Sequence, residues 1–169
     1  MPNAQVFVAA GLLAVMTGVQ PSGAQPPAPM SARDFVKAAS ASDQYEIQAA
    51  RVAEVESRDG SVRAFARKMI QDHTRTRQAL QQASLASGMP PPPDGMNDDG
   101  QKLLSQLQSL RAPDFDRAYV RQQVLSHQEA LVVEQGYAAD GSDPNLRRTA
   151  ASAVPIVQHH LDMARRLQP

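Results

Sequence analysis

Apolar and small side chains recur with alternating four-three spacing in four segments of the chain. These segments are residues 31–58, 62–87, 113–139 and 143–167. This spacing places the residues on one face of an α-helix, where they form a seam against other helices. Glycine and proline interrupt the repeat between segments, so the pattern predicts four packed helices rather than one long coiled coil. A short amphipathic helix is also predicted between the second and third segments, at Leu103, Leu104, Leu107 and Leu110.

The ends of the predicted helices carry residues that start or stop helical structure. Ser31, with Asp34 three residues on, resembles a capping box and begins the first helix. Gly88 stands where the second helix should end. Asp143 followed by Pro144 is typical of a helix start, so it predicts where the last helix begins.

The lengths of the connections predict the order of the helices. The breaks at residues 59–61 and 140–143 are short, so each joins two antiparallel neighbours. The connection at 88–112 has about 25 residues and reaches roughly 60 Å, whereas the helices are about 40 Å long. It can therefore cross the whole bundle, which predicts an all-α, ferritin-like four-helix bundle with one long crossover. A simple up-down-up-down order with a loose loop is the alternative.

The N-terminal segment has the pattern of a secretory signal peptide. Residues 1–32 have no charged side chain, and the apolar stretch Val6–Val19 is too short to span a bilayer. Ser22 and Ala24 then provide small residues for cleavage before Gln25. No basic residue precedes the apolar stretch, so an uncleaved anchor or a misplaced start codon remains an alternative.

The predicted organisation is therefore a signal peptide at 1–24, a proline-rich linker at 25–30 and a four-helix domain at 31–167. Cleavage after Ala24 predicts a periplasmic or secreted protein without a membrane span in the mature chain.

Composition narrows the possible functions. The 17 basic and 17 acidic residues balance, so no net basic field favours nucleic acid. There is no cysteine, which excludes disulfides and thiolate metal sites. A scarcity of aromatic residues agrees with helices packed through small side chains. An envelope component or a second copy of the chain remains a possible partner.

Each of the four helical seams carries one ionisable residue near its middle. They are Glu46, His73, His127 and His160. Within each antiparallel pair the two residues lie about equally far from the connecting turn, so all four should form one polar layer. Three imidazoles and a carboxylate suit a single divalent ion such as zinc, copper, iron or manganese. Alternatively, the four side chains satisfy one another by hydrogen bonds and set the helix register.

Other polar residues are assigned supporting or surface positions. Asp72 and Glu134 are further candidates, as groups that would orient the ligands from behind. His159 adjoins His160 but is rotated about 100° around the helix, which predicts a surface position. No catalytic residue is predicted, because the chain lacks phosphate-binding glycine loops, serine-hydrolase motifs and the metalloprotease His-Glu-x-x-His.

Several strings in these helices resemble a large family of secreted bacterial proteins. They include Met-Ile-Gln-Asp-His-Thr at 69–74, Ser-His-Gln-Glu-Ala at 126–130 and Val-Pro-Ile-Val-Gln-His-His-Leu at 154–161. The family is a domain of unknown function with a ferritin-like bundle, often labelled as outer membrane proteins. The resemblance spans about residues 31–167 and implies the fold and export. It supplies no catalytic residues, because the family's activity is itself unestablished.

The chain lacks the residues that di-iron chemistry would need. Di-iron bundles use Glu-x-x-His motifs, but Ile70 and Val157 stand three residues before His73 and His160. We therefore expect no di-iron oxidase or ferroxidase activity. The sequence predicts an exported four-helix protein that binds one metal ion, for metal handling or stress tolerance in the envelope. A non-enzymatic structural or interaction module is the alternative.

Overall fold

The structure is a computed structural model that describes residues 29–168. Over this range the chain forms five α-helices: α1 (Ala32–Glu56), α2 (Gly60–Ala86), α3 (Asp98–Ser109), α4 (Asp114–Asp140) and α5 (Pro144–Arg166). The predicted all-α class and the four long helices are confirmed. The predicted signal peptide, and residues 25–28 of the predicted linker, lie outside the described residues.

The helix ends follow the predicted signals. The Ser31 side chain accepts a hydrogen bond from the Asp34 amide, and Asp143 caps α5 with Pro144 in the first turn. Gly88 takes a φ of 68° after α2, and the next amide, of Met89, donates to the Ser84 carbonyl at 2.9 Å. This is a Schellman ending, which satisfies carbonyls that the helix leaves free. The short helix starts earlier than its leucines predict, because Asn97 caps it by accepting from the Gly100 amide.

The predicted long crossover is present. Near the end of α1, Glu56 pairs with Arg111, just before α4 begins. At the opposite end, Ser87 after α2 donates to the Asp143 carboxylate at the start of α5. The chain therefore travels the length of the bundle between α2 and α4, and α3 packs on α1 and α4 along the way. This makes α1 antiparallel to α4 and α2 antiparallel to α5, which excludes the simple up-down-up-down order.

The described apolar core divides into two clusters along the bundle. The larger cluster surrounds Phe65, Phe115 and Tyr119, toward the α1–α2 turn. The smaller cluster lies toward the α4–α5 turn, where Phe35 and Tyr137 stack with ring centroids 4.0 Å apart. We call them the large core and the small core. Polar side chains are buried in the middle of the bundle.

Two glycines should respond oppositely to alanine because their backbones differ. Gly88→Ala should lower the free energy of unfolding by about 1 kcal/mol, since a β-carbon is strained at positive φ. Gly136→Ala lies in exposed helix with open space for a β-carbon, so it should raise stability by about 0.5–1 kcal/mol. Urea unfolding of both variants measures these values, and shifts of the same sign would contradict the assigned ending of α2.

Candidate metal centre

Three histidines from three different helices meet inside the bundle. His73 on α2, His127 on α4 and His160 on α5 are at most 3% exposed. Their ring centroids lie 5.2 to 5.7 Å apart. One nitrogen from each ring can be chosen so that all three lie within 4.8 Å of one another. The sequence prediction that these residues share one level of the bundle is therefore confirmed.

Each imidazole is held from behind by a hydrogen bond to an oxygen atom. Nδ1 of His73 lies 2.8 Å from Oδ1 of Asp43, and Nε2 of His160 lies 2.9 Å from Oδ2 of Asp72. Nδ1 of His127 lies 2.8 Å from the carbonyl oxygen of Gln123, one turn earlier on α4. A carbonyl or carboxylate oxygen only accepts, so each of these nitrogens carries the proton. In a neutral ring the second nitrogen then has a free lone pair.

These second nitrogens have no hydrogen-bond partner. They are Nε2 of His73, Nε2 of His127 and Nδ1 of His160, and all are buried. Leaving a buried polar atom unpaired costs about 1–3 kcal/mol. Because the three rings meet in one small space, a cation or a shared proton there would give these nitrogens a partner. The neutral imidazole is the form that binds metal ions.

The spacing suits a transition metal after a small adjustment of the side chains. With the nitrogens at their widest separation, an ion at the centre would lie about 2.8 Å from each, compared with about 2.0–2.1 Å for a zinc–imidazole bond. Each ring would have to move inward by about 0.7 Å. Three protein ligands also leave a further coordination position open, as in many functional metal sites.

Glu46, the predicted fourth member of the layer, lies beside the histidines rather than among the converging nitrogens. Its carboxylate accepts hydrogen bonds of 2.6 Å from Nε2 of Gln123 and from Oγ of Ser126. Oε1 lies 3.8 Å from Nδ1 of His127, the outer nitrogen of that ring. The structure therefore brings the three histidines together and puts Glu46 behind one of them, as a buried negative charge.

The remaining predicted residues divide between the centre and its surroundings. Asp72 contacts His160 directly, and Lys68 on the outside donates to the same carboxylate oxygen at 2.7 Å. Glu134 lies two turns farther along α4, and its Oε2 has no partner. Glu134 makes no hydrogen bond to a histidine in the described part of the chain. His159 is exposed, as predicted.

Sequence reasoning missed two residues that orient the imidazoles. Asp43 binds both His73 and the hydroxyl of Thr76, and Gln123 connects His127 to Glu46. Asp43 was detectable, because it lies about as far before the α1–α2 turn as Thr76 lies after it. Gln123 had no such signal, since its contact with His127 is made by its main-chain carbonyl.

Burial and charge act differently on the three imidazoles. Burial lowers the pKa of His73, but the bond to Asp43 and the charges of Asp43, Glu46 and Asp72 outweigh it and raise that pKa above 6.5. Burial, with the nearby His73, lowers the pKa of His160 to about 3. Burial likewise lowers the pKa of His127. His127 and His160 are therefore neutral at physiological pH, while His73 holds a proton more readily.

The fold and the site define a class of protein: an all-α bundle with a buried cluster of three histidines. None of the helices within residues 29–168 combines the length and apolarity required to cross a bilayer. The family model for the domain of unknown function DUF4142 matches residues 17–167. The chain therefore belongs to this family. No curated protein sequence matches the chain.

Solved structures of a protein called CopM have a similar fold. CopM in the Cu(II)-bound form is 18% identical, with a TM-score of 0.69, and the match covers 82% of this chain and 96% of that chain. The Cu(I)-bound and silver-bound forms have TM-scores of 0.67 and 0.66, again with 18% identity, and each match covers 81% of this chain and 94% of that chain. At this level of identity the likeness concerns the fold.

Glu134 should make the stability of the metal-free protein depend on pH. Burial, with the charge of Asp43, raises the pKa of Glu134 from 4.5 to about 8. Between these pH values the unfolded chain loses a proton that the folded chain keeps, so stability falls as pH rises, by at most about 1.4 kcal/mol per unit. Glu134→Gln should remove this slope, measured as the difference between wild-type and variant unfolding free energies at pH 5, 7 and 8.5. A constant difference across this range would contradict the assignment.

Proposed function

We propose that this protein binds one transition metal ion through Nε2 of His73, Nε2 of His127 and Nδ1 of His160. The observation that carries the proposal is the meeting of three buried histidines, each of which has one ring nitrogen without a hydrogen-bond partner. Each is oriented from behind by an oxygen acceptor, as in metal sites where a carboxylate or carbonyl fixes the ligating histidine. When bound, the ion would supply the positive charge that this space lacks.

The negative charges around the site favour a bound cation. Asp43, Glu46 and Asp72 place three carboxylates around three imidazoles, and only Asp72 is also paired with basic residues, Lys68 and Arg75. A bound divalent ion would offset the repulsion among these buried negative charges. Glu46, which we predicted as a ligand, contributes in this proposal through its charge and through its bond to Gln123.

Copper is the first ion to test, followed by zinc, iron and manganese. The site offers only nitrogen ligands at its centre, and imidazole binds copper, zinc and iron. The CopM structures, which share the fold, hold copper or silver by their descriptions. We further propose that residues 1–24 are removed on export, that the mature protein begins with the 25–30 linker, and that the 31–167 domain handles metal in the bacterial envelope.

Metal binding should be stoichiometric and should depend on the three histidines. The untagged protein, stripped with chelator and then titrated with Cu(I), Cu(II) or Zn(II), should take up one ion per chain. Its melting temperature should rise, since an ion at 100 times its dissociation constant contributes about 2.7 kcal/mol. His127→Ala and His160→Ala should abolish this uptake, whereas the exposed His159→Ala should leave it unchanged.

The alternative function, a layer that only sets helix register, makes the opposite prediction. In that case His73→Leu with His127→Leu would keep the biological activity and raise stability, because apolar residues of similar size often replace buried polar groups favourably. If the wild-type protein takes up no stoichiometric metal and its melting temperature does not rise, the metal proposal is wrong and the register function stands.

Asp43 should strengthen metal binding through His73. Asp43→Asn keeps an oxygen acceptor for Nδ1 of His73 but removes the negative charge, so the ring becomes a weaker ligand. We expect metal affinity to fall by about 10- to 100-fold without loss of the fold. Asp140→Asn, an exposed change on α4, is the matched control. Equal affinities of the two variants in competition with a colorimetric chelator would contradict this role.

A further inference from the structure

A cavity of about 880 Å³ lies between the large core and the small core. All four long helices line it, and small side chains on their facing positions leave the space, among them Ala39, Ala83, Ala130 and Ala153. Its size is within the range of small-molecule sites. The cavity is therefore large enough for an organic ligand as well as for water.

The walls of the cavity are mainly apolar. The walls include Phe35 and Leu80 of the small core, Val157 of the large core, and Val133. A ligand with an apolar body would join the two cores into a continuous one. Burying such a body contributes about 25 cal/mol per Å² of apolar surface.

Glu134 is a buried polar group of the cavity that has no hydrogen-bond partner among the described residues. Its side chain lines the cavity and is 9% exposed, and its Oε2 makes no hydrogen bond. No ion pair in the described part of the chain includes Glu134. Arg75 and Arg148, which line exposed parts of the cavity, contact Asp72 and Asn145 instead. Burial keeps the pKa of Glu134 near 8, as expected for a carboxyl group without a cation beside it.

We propose that this cavity binds a small organic cation, a primary ammonium with an apolar body. As the ammonium enters, the Glu134 carboxyl would release its proton to solvent and, as a carboxylate, accept a hydrogen bond from the ammonium. The body would pack against Phe35, Leu80 and Val157. A charge-assisted bond of this kind is about twice as strong as a neutral one. Asp43, which also lines the cavity, adds negative charge and disfavours an anionic ligand.

The proposed ammonium partner, Glu134, lies away from the three-histidine centre. Glu134 follows His127 by about 10 Å along α4, although His73 also lines the cavity. Organic-cation binding therefore requires no metal ion, and it can be tested with chelator present. If the metal proposal is wrong, metal uptake fails but amine binding in chelator is unaffected. If this proposal is wrong, amine binding fails whether or not metal binds.

The experiment compares hexylamine, hexanol and hexanoate, which share a similar apolar chain and differ in charge. Calorimetric titration and thermal melting of the purified protein in EDTA should give the highest affinity and the largest melting-temperature rise with hexylamine. Glu134→Gln should lower the affinity for hexylamine by about tenfold or more and change the affinity for hexanol by less than about twofold. The reason is that the substitution removes only the charge. Glu54→Gln, on α1 and away from the cavity, is the matched control.

A second variant tests the cavity itself. Ala153→Leu places a larger side chain at a buried position of the lining, so it should weaken hexylamine binding. Equal affinity for the amine, the alcohol and the carboxylate would overturn the proposal. So would the absence of binding at millimolar amine, or a Glu134→Gln variant that binds hexylamine as the wild-type protein does.

Discussion

The structure of the polar layer depends on one kind of interaction, the hydrogen bond behind each imidazole. Asp43, Asp72 and the Gln123 carbonyl each accept the proton of an outer ring nitrogen. A hydrogen bond to an acceptor fixes which ring nitrogen carries the proton, and therefore which nitrogen of the neutral ring keeps a lone pair. That second nitrogen is the one that has no hydrogen-bond partner in each of the three rings. Without these acceptors the rings could turn and donate to one another, and the convergence that defines the site would disappear.

This requirement also explains how the bundle divides its apolar interior. Carboxylates that orient the imidazoles must themselves be buried, so the middle of the bundle contains ionisable groups where other levels contain leucine or phenylalanine. The large core and the small core stabilise the helices on either side. Between them, small residues and Glu134 leave a cavity. The apolar packing is therefore interrupted near the polar level.

The sequence predicted the helices, their order and the meeting of the three histidines, because heptad spacing and connection length report directly on helix faces and helix length. It was less informative about the contacts inside the layer. Glu46 and Asp43 are one turn apart on α1, and both are buried. Seam position favoured Glu46 as the partner, yet Asp43 holds His73, because a shorter side chain one turn away reaches that ring nitrogen.

What the sequence determined by itself is therefore the set of helices, their caps, and which residues face the interior. These properties follow from local periodicity and from the chemistry of helix ends, which act over a few residues. Only the tertiary structure decided which nitrogen of each histidine is left without a hydrogen-bond partner, that Glu46 bonds Gln123 and Ser126, and that Glu134 lines a cavity. Those outcomes depend on distances of a few ångströms between helices that are far apart in the chain, and periodicity carries no information at that scale.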